Sequence, residues 1–174
     1  ASYLDNAQTL SLLSEQGTLT GEVGLLPIQY NFLEHQHDVP DHYNQALLLQ
    51  IDKGLSVQKV TQAINLLTQK HDALRLFYQS NSTGWAQFYS DQAINLEQES
   101  LSELDNEQFL QELTTLCNQY QQQLNIREGQ LARFVLIKTP PEQSHHRLLV
   151  VIHHLAVDGV SWRILLEDLN NLLS

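Results

Sequence analysis

Apolar residues recur along this chain with two periods, and each period predicts its own elements. Val57, Val60, Ile64 and Leu67 lie at helical spacing, so residues 57–70 are predicted to form an amphipathic helix with Ser56 as its N-cap. Asp105, followed three residues later by Gln108, resembles a capping box. Beyond it Phe109, Leu113, Leu116, Cys117, Tyr120 and Leu124 mark one face of a long helix to about 124. Trp162, Leu165, Leu169 and Leu172 or Leu173 predict a closing helix. Two weaker helical segments precede these. Residues 2–14 carry Leu4, Leu10, Leu12 and Leu13 before Ser14-Glu15-Gln16-Gly17 interrupts them. Pro27 suits a first helical turn, with Ile28, Phe32 and His35 sharing a face and Pro40 ending the segment.

The remaining apolar runs are short and extended. Residues 44–51 and 131–137 read as strands, and Leu148 to Ile152 is the unbroken apolar run of a strand buried on both faces. Leu74, Leu76 and Tyr78 alternate with Arg75 and Phe77, which predicts another strand. Asn81-Ser82-Thr83-Gly84 supplies a turn, and Trp85 to Tyr89 returns as the second arm of a hairpin. Helices interleaved with strands in this way predict an α/β sandwich with a mixed sheet.

Composition narrows the partners. The 174 residues suit one ordinary domain or one lobe of a larger one, and 42% apolar content is enough for a core. With 9 basic and 20 acidic residues the formal charge is −11, and no Lys/Arg cluster occurs. This argues against nucleic acid and against an anionic membrane as partners. The single cysteine, Cys117, excludes an internal disulfide, suits a reducing compartment and reads as core filler. No apolar stretch approaches the roughly 20 residues of a membrane span. No signal peptide is visible at the N-terminus, so a cytoplasmic location is expected. The 21 glutamines, with a run at Gln121-Gln122-Gln123, are a polar bias without a repeat. Residues 1–20 are read as a leader or inter-domain linker and 21–174 as the folded unit. The chain begins at Ala1, which suggests that it was cut from something longer.

The densest chemistry lies near the end, at His153-His154-Leu155-Ala156-Val157-Asp158-Gly159-Val160-Ser161-Trp162. Adjacent residues on a strand point to opposite faces, so one imidazole can pack while the other meets a cavity. A neutral imidazole there can take and return a proton near pH 7. Asp158 would either orient an imidazole or be buried against a cation. Gly159 suits a backbone conformation closed to other residues, or close approach by a ligand. Ser161 is placed to cap the following helix, whose positive end would face the same region. Two plainer readings stand beside this one. The pair is also the ordinary polar end of a strand, and it is also a potential metal site. The metal reading is weak because the two rings diverge, His145-His146 lies apart, and no His-x-x-x-His or Cys-x-x-Cys pattern exists. His35, His37, His42 and His71 read as surface or boundary residues.

His153-His154-x-x-x-Asp158-Gly159 resembles the active-site signature of the condensation superfamily of nonribosomal peptide synthetases, relatives of chloramphenicol acetyltransferase-like acyltransferases. Val160-Ser161-Trp162-Arg163-Ile164-Leu165-Leu166-Glu167-Asp168-Leu169 resembles the epimerization branch. Gly21 to Gln29, with its Pro27-Ile28-Gln29 core, is similar to the opening of epimerization domains, and His71-Asp72-Ala73-Leu74-Arg75 to a second core motif of the superfamily. Gln29-Tyr30-Asn31-Phe32 departs from the bulky aromatic pair that many relatives carry there.

The resemblance implies a chloramphenicol acetyltransferase-like fold and the N-terminal lobe of a two-lobe domain, with the active site between the lobes. It implies inversion of the α-carbon of an aminoacyl or peptidyl thioester carried on the phosphopantetheine arm of a carrier domain, with no cofactor bound directly. His154 would be catalytic. His153, Gly159, Ser161 and Trp162 would support it, and Asp158 would be ion-paired with Arg75. The second acid/base would be a glutamate of the other lobe, and Glu167 is a poor substitute. The lobe alone is then expected to be inactive, and its exposed inter-lobe face to favour self-association. Amide-bond condensation, a free-standing acyltransferase and a non-catalytic carrier-docking module are the alternatives.

Overall fold

The computed structural model describes residues 17–35 and 40–174. The helix expected over 2–14, most of the leader or linker, and His37 lie outside the described residues. Two sheets carry the architecture. The larger runs β2 (Asn44–Ile51), β7 (His146–His153), β6 (Ala132–Lys138), β5 (Leu96–Ser100). Its first two pairings are antiparallel and β6–β5 is parallel, so the sheet is mixed. The smaller sheet, β1 (Gly21–Val23), β4 (Gly84–Tyr89), β3 (Leu76–Asn81), is antiparallel throughout. The helices are α1 (Pro27–Glu34), α2 (Val57–Lys70), α3 (Asn106–Gln121) and α4 (Gly159–Leu173).

Strand pleating sorts the core into two layers. On β7, Leu148, Val150 and Ile152 face one way, and Leu149 and Val151 the other. The first set joins Val60, Ile64 and Leu67 of α2 and Leu165 and Leu169 of α4. The second meets Phe109, Leu113, Leu116 and Tyr120 of α3, with Cys117 packed beside them. Because β7 is apolar on both faces, burial alone does not fix its register. Its polar ends do. A one-residue slip would pull the fully buried His153 off the backbone groups that satisfy it.

Several local expectations hold. Ser56 caps α2 by accepting from Lys59 N at 3.2 Å, and Asp105 caps α3 by accepting from Glu107 N and Gln108 N. Others need correction. The strand expected from Leu74 begins at Leu76, because Asp72–Arg75 forms a 3-10 turn that tucks Leu74 and Arg75 into the interior. The short strands β1 and β5 were not anticipated individually. Gly21–Val23 has only three residues, and β5 alternates Leu96, Glu97, Gln98, Glu99 and Ser100 at a sheet edge with little apolar signal. On α1, Ile28 is 76% exposed, and the face turned inward is Gln29 and Leu33. No helix among the described residues is long and apolar enough to cross a membrane.

Candidate active site

The two adjacent histidines do diverge, and their surroundings give them different jobs. His153 closes β7 with no solvent exposure. Its Nε2 donates to the carbonyl of Pro40 at 2.7 Å, and its Nδ1 accepts from Leu155 N at 3.1 Å. Those two bonds define one neutral tautomer and occupy both nitrogens. The rings of Phe32 and Tyr43 meet it edge-on at 5.7 and 6.3 Å. Burial lowers its pKa, so the ring stays uncharged. His153 is a framework residue.

His154 turns out of the strand into the open. Its backbone N–H extends the sheet by donating to Tyr43 O at 2.8 Å, and its ring lies 5.0 Å from that of Tyr43. Nδ1 contacts the carbonyl of Val157 at 2.8 Å. A carbonyl only accepts, so Nδ1 carries the proton and Nε2 holds the free lone pair. His154 lines two clefts. One, of about 420 Å³, runs toward α1 past Phe32, His35 and Tyr43. The other, of about 430 Å³, runs toward the small sheet past Val23, Gln87, Asp158 and Ser161. Ile28, Gln29 and Leu155 belong to both walls. Thus the exposed face of α1 and its strongly exposed Ile28 form part of the site.

Asp158 takes neither of the roles foreseen for it, and the ion pair with Arg75 is not formed. Asp158 is exposed and is the N-cap of α4, its Oδ1 accepting from both N and Oγ of Ser161 at 2.7 Å. Those bonds hold its pKa below the usual carboxylate range. Ser161 was expected to cap α4; it sits within the first turn and donates to the cap. The positive end of the helix is therefore already met by a carboxylate, which weakens the reading of α4 as an anion site. Arg75 is buried by the 3-10 turn. There it binds the Asp72 carboxylate, three residues away, and donates to Ser90 O at 3.0 Å and Leu19 O at 3.3 Å. Local geometry decides the matter: the short Asp72 side chain reaches the guanidinium within one turn.

Gly159 also departs from one expectation. The glycines with positive φ are Gly21, Gly84 and Gly129, and Gly159 simply begins α4. A Cβ there would meet nothing within 4 Å. Trp162 is fixed by its indole N–H, which donates to Gln45 Oε1 on β2 at 2.6 Å and ties α4 to the sheet beside the site. Glu167 is on α4 beyond the cleft lining.

Other histidines behave as boundary groups. His71 contacts Asp168 of α4 at 2.7 Å, alongside Lys70, and so links α2 to α4. His35 Nδ1 contacts Asn31 O at 2.6 Å, and His42 lies beside Gln121 O. Among the described residues no group of three or more His, Cys, Asp or Glu is placed to hold a metal. Sequence reasoning missed Gln29 and Gln87, buried polar residues in the cleft wall. Gln29 carried a signal in the Pro-Ile-Gln run; Gln87 sits in a strand with nothing to mark it.

Comparison with known proteins agrees with this geometry. A family model described as "Condensation domain" matches residues 20–173. A linear gramicidin synthase from Brevibacillus parabrevis is 43% identical over 93% of this chain, which covers 3% of that protein. Gramicidin S synthase 1 of Brevibacillus brevis is 35% identical over 90% of this chain and 14% of its own length. The epimerization domain from the third module of tyrocidine synthetase B superposes with a TM-score of 0.82 at 34% identity, over 92% of this chain and 36% of that one. The starter condensation domain of the rhizomide synthetase RzmA gives 0.75 at 19%, a likeness of fold, over 88% of this chain and 37% of that chain. The chain thus spans a small part of its curated relatives and about a third of the structural ones, as one lobe of the chloramphenicol acetyltransferase-like fold. With its mixed sheet, its divergent histidine pair and a family match over nearly its whole length, the chain belongs to the condensation-domain family.

Proposed function

We propose that this chain is the N-terminal lobe of an epimerization domain of a nonribosomal peptide synthetase. Residues 21–174 form the lobe, preceded by a leader or inter-domain linker over 1–20. The substrate is an aminoacyl or peptidyl thioester on the phosphopantetheine arm of a carrier domain. The observation that carries the reading is His154, which lines both clefts and whose Nδ1 proton is held by Val157 O, leaving Nε2 without a hydrogen-bond partner among the described residues. Nε2 removes the α-proton, and the C–H electron pair moves into the thioester as an enolate. A second group on the opposite face returns a proton to the α-carbon. That second group comes from the other lobe, so the present chain alone does not epimerise. The 34% identity to an epimerization domain, against 19–21% for starter condensation domains, supports this branch of the family.

The exposed Leu26 and Ile28 belong to the cleft walls and are suited to the second lobe or to self-association. Amide-bond condensation is the second reading, favoured by the same histidine and by the starter condensation domains that share the fold. One assay separates the two. The complete module, loaded with its aminoacyl group, is placed in D2O with a second loaded carrier. Deuterium at the α-carbon that His154→Ala abolishes is the expected result. Dipeptide without deuterium supports condensation, and carrier binding without either product supports a docking module.

A further inference from the structure

Gln87 is a buried polar residue on the inward face of the small sheet. It lies in β4 opposite Val23 of β1 and Tyr78 of β3, among side chains that are apolar or aromatic. The side chain is 3% exposed. Its Nε2 makes a long bond, 3.3 Å, to Gly24 O, and this sets the amide so that Oε1 is the other end. Among the described residues Oε1 has no hydrogen-bond partner. A buried acceptor left unpaired is destabilising, and folded proteins rarely leave one without a use. Gln87 lines the same cleft as His154. Asp158 is the ionised group of that lining, and Arg75, outside the lining, is engaged through its terminal nitrogens by Asp72, Ser90 and Leu19, its buried Nε being left unpaired. The cleft therefore offers acceptors and no cation, the complement of an N–H donor.

Resting on the epimerization reading, we propose that Gln87 is a substrate-binding residue, whose amide oxygen accepts an N–H of the thioester-bound chain and so holds it beside His154. Two N–H sources share this chemistry, the α-nitrogen of the aminoacyl group and the amides of the phosphopantetheine arm.

The test uses the complete module and two competing ligands. An aminoacyl S-ethyl thioester keeps the α-nitrogen and lacks the arm amides. A desamino acyl pantetheine thioester keeps the amides and lacks the α-nitrogen. Deuterium wash-in at the α-carbon of the carrier-bound substrate is the readout. Gln87→Met is expected to raise KM about tenfold with kcat within twofold, the pattern of lost uniform binding. It should raise the inhibition constant of the competitor that supplies the N–H about tenfold and leave the other unchanged, which identifies the source. Gln87→Glu, which keeps an acceptor oxygen, is expected to hold that inhibition constant within threefold. Unchanged constants in Gln87→Met, equal weakening of both competitors, or a tenfold loss in Gln87→Glu would overturn the assignment. If the unmodified module forms amide bonds and exchanges no deuterium, the epimerization reading falls, and the same constants are read on amide formation.

Discussion

Replacing His153 by leucine and His154 by leucine should separate framework from chemistry in two neighbouring residues. The fully buried His153 ring serves two part-buried backbone groups, the Pro40 carbonyl and the Leu155 N–H. Leucine matches the ring closely in size, so packing against Phe32 and Tyr43 is largely kept, while both groups lose their partner. Each group left unsatisfied costs about 1–3 kcal/mol, which gives about 2–6 kcal/mol for the pair. In a chain of this length 1 kcal/mol lowers Tm by about 2–4 °C, so the shift is on the order of 10 °C. His154 is half-buried and serves a single acceptor, Val157 O. One group left unpaired costs about 1–3 kcal/mol, half of the loss at 153. Urea and thermal unfolding measure the difference directly. Hydrogen exchange at the Leu155 amide reports the local bond and should accelerate only in His153→Leu. In the complete module the order reverses, with His154→Leu abolishing turnover. Equal destabilisation by the two substitutions, or a larger loss at 154, would refute the argument.

Three further outcomes follow from the same geometry. Burial lowers the pKa of His153 and of His146, so the fold favours the neutral rings. Unfolded histidines bind protons near pH 6.5 while the folded ones resist, so this stability is full above that pH and is lost as pH falls below it. For His153 the slope reaches at most about 1.4 kcal/mol per pH unit, and unfolding from pH 8 to 5 should flatten in a stable His153→Asn variant. Asp158→Ala should lower Tm slightly and Asp158→Asn scarcely at all, since asparagine caps a helix as well as aspartate does; a collapse in both would restore a buried ion pair. Arg75→Met should cost about 1–3 kcal/mol in urea unfolding because it takes the donors from a partly exposed Asp72 carboxylate and two half-buried carbonyls, and no measurable change would contradict that picture.

Elements with a strong period, and the residues that cap them, were legible in the chain before it folds. Val57–Lys70, Asn106–Gln121 and the buried run of β7 follow from spacing, because a face must be apolar to be buried. The divergence of His153 and His154 was equally legible, because alternation across a strand is a property of the backbone. Which partner each polar group finds was settled on folding. Asp158 and Arg75 each have several partners within reach of the sequence pattern, and the 3-10 turn at Asp72–Arg75 and the start of α4 at Gly159 settled both locally. β1 and β5 form because neighbouring strands offer their edges, a template that a three-residue or polar segment does not announce. Gln87 became visible only once two strands and a loop enclosed it. Periodicity encodes which face is buried, whereas a hydrogen-bond partner depends on distances between segments that the chain brings together only on folding.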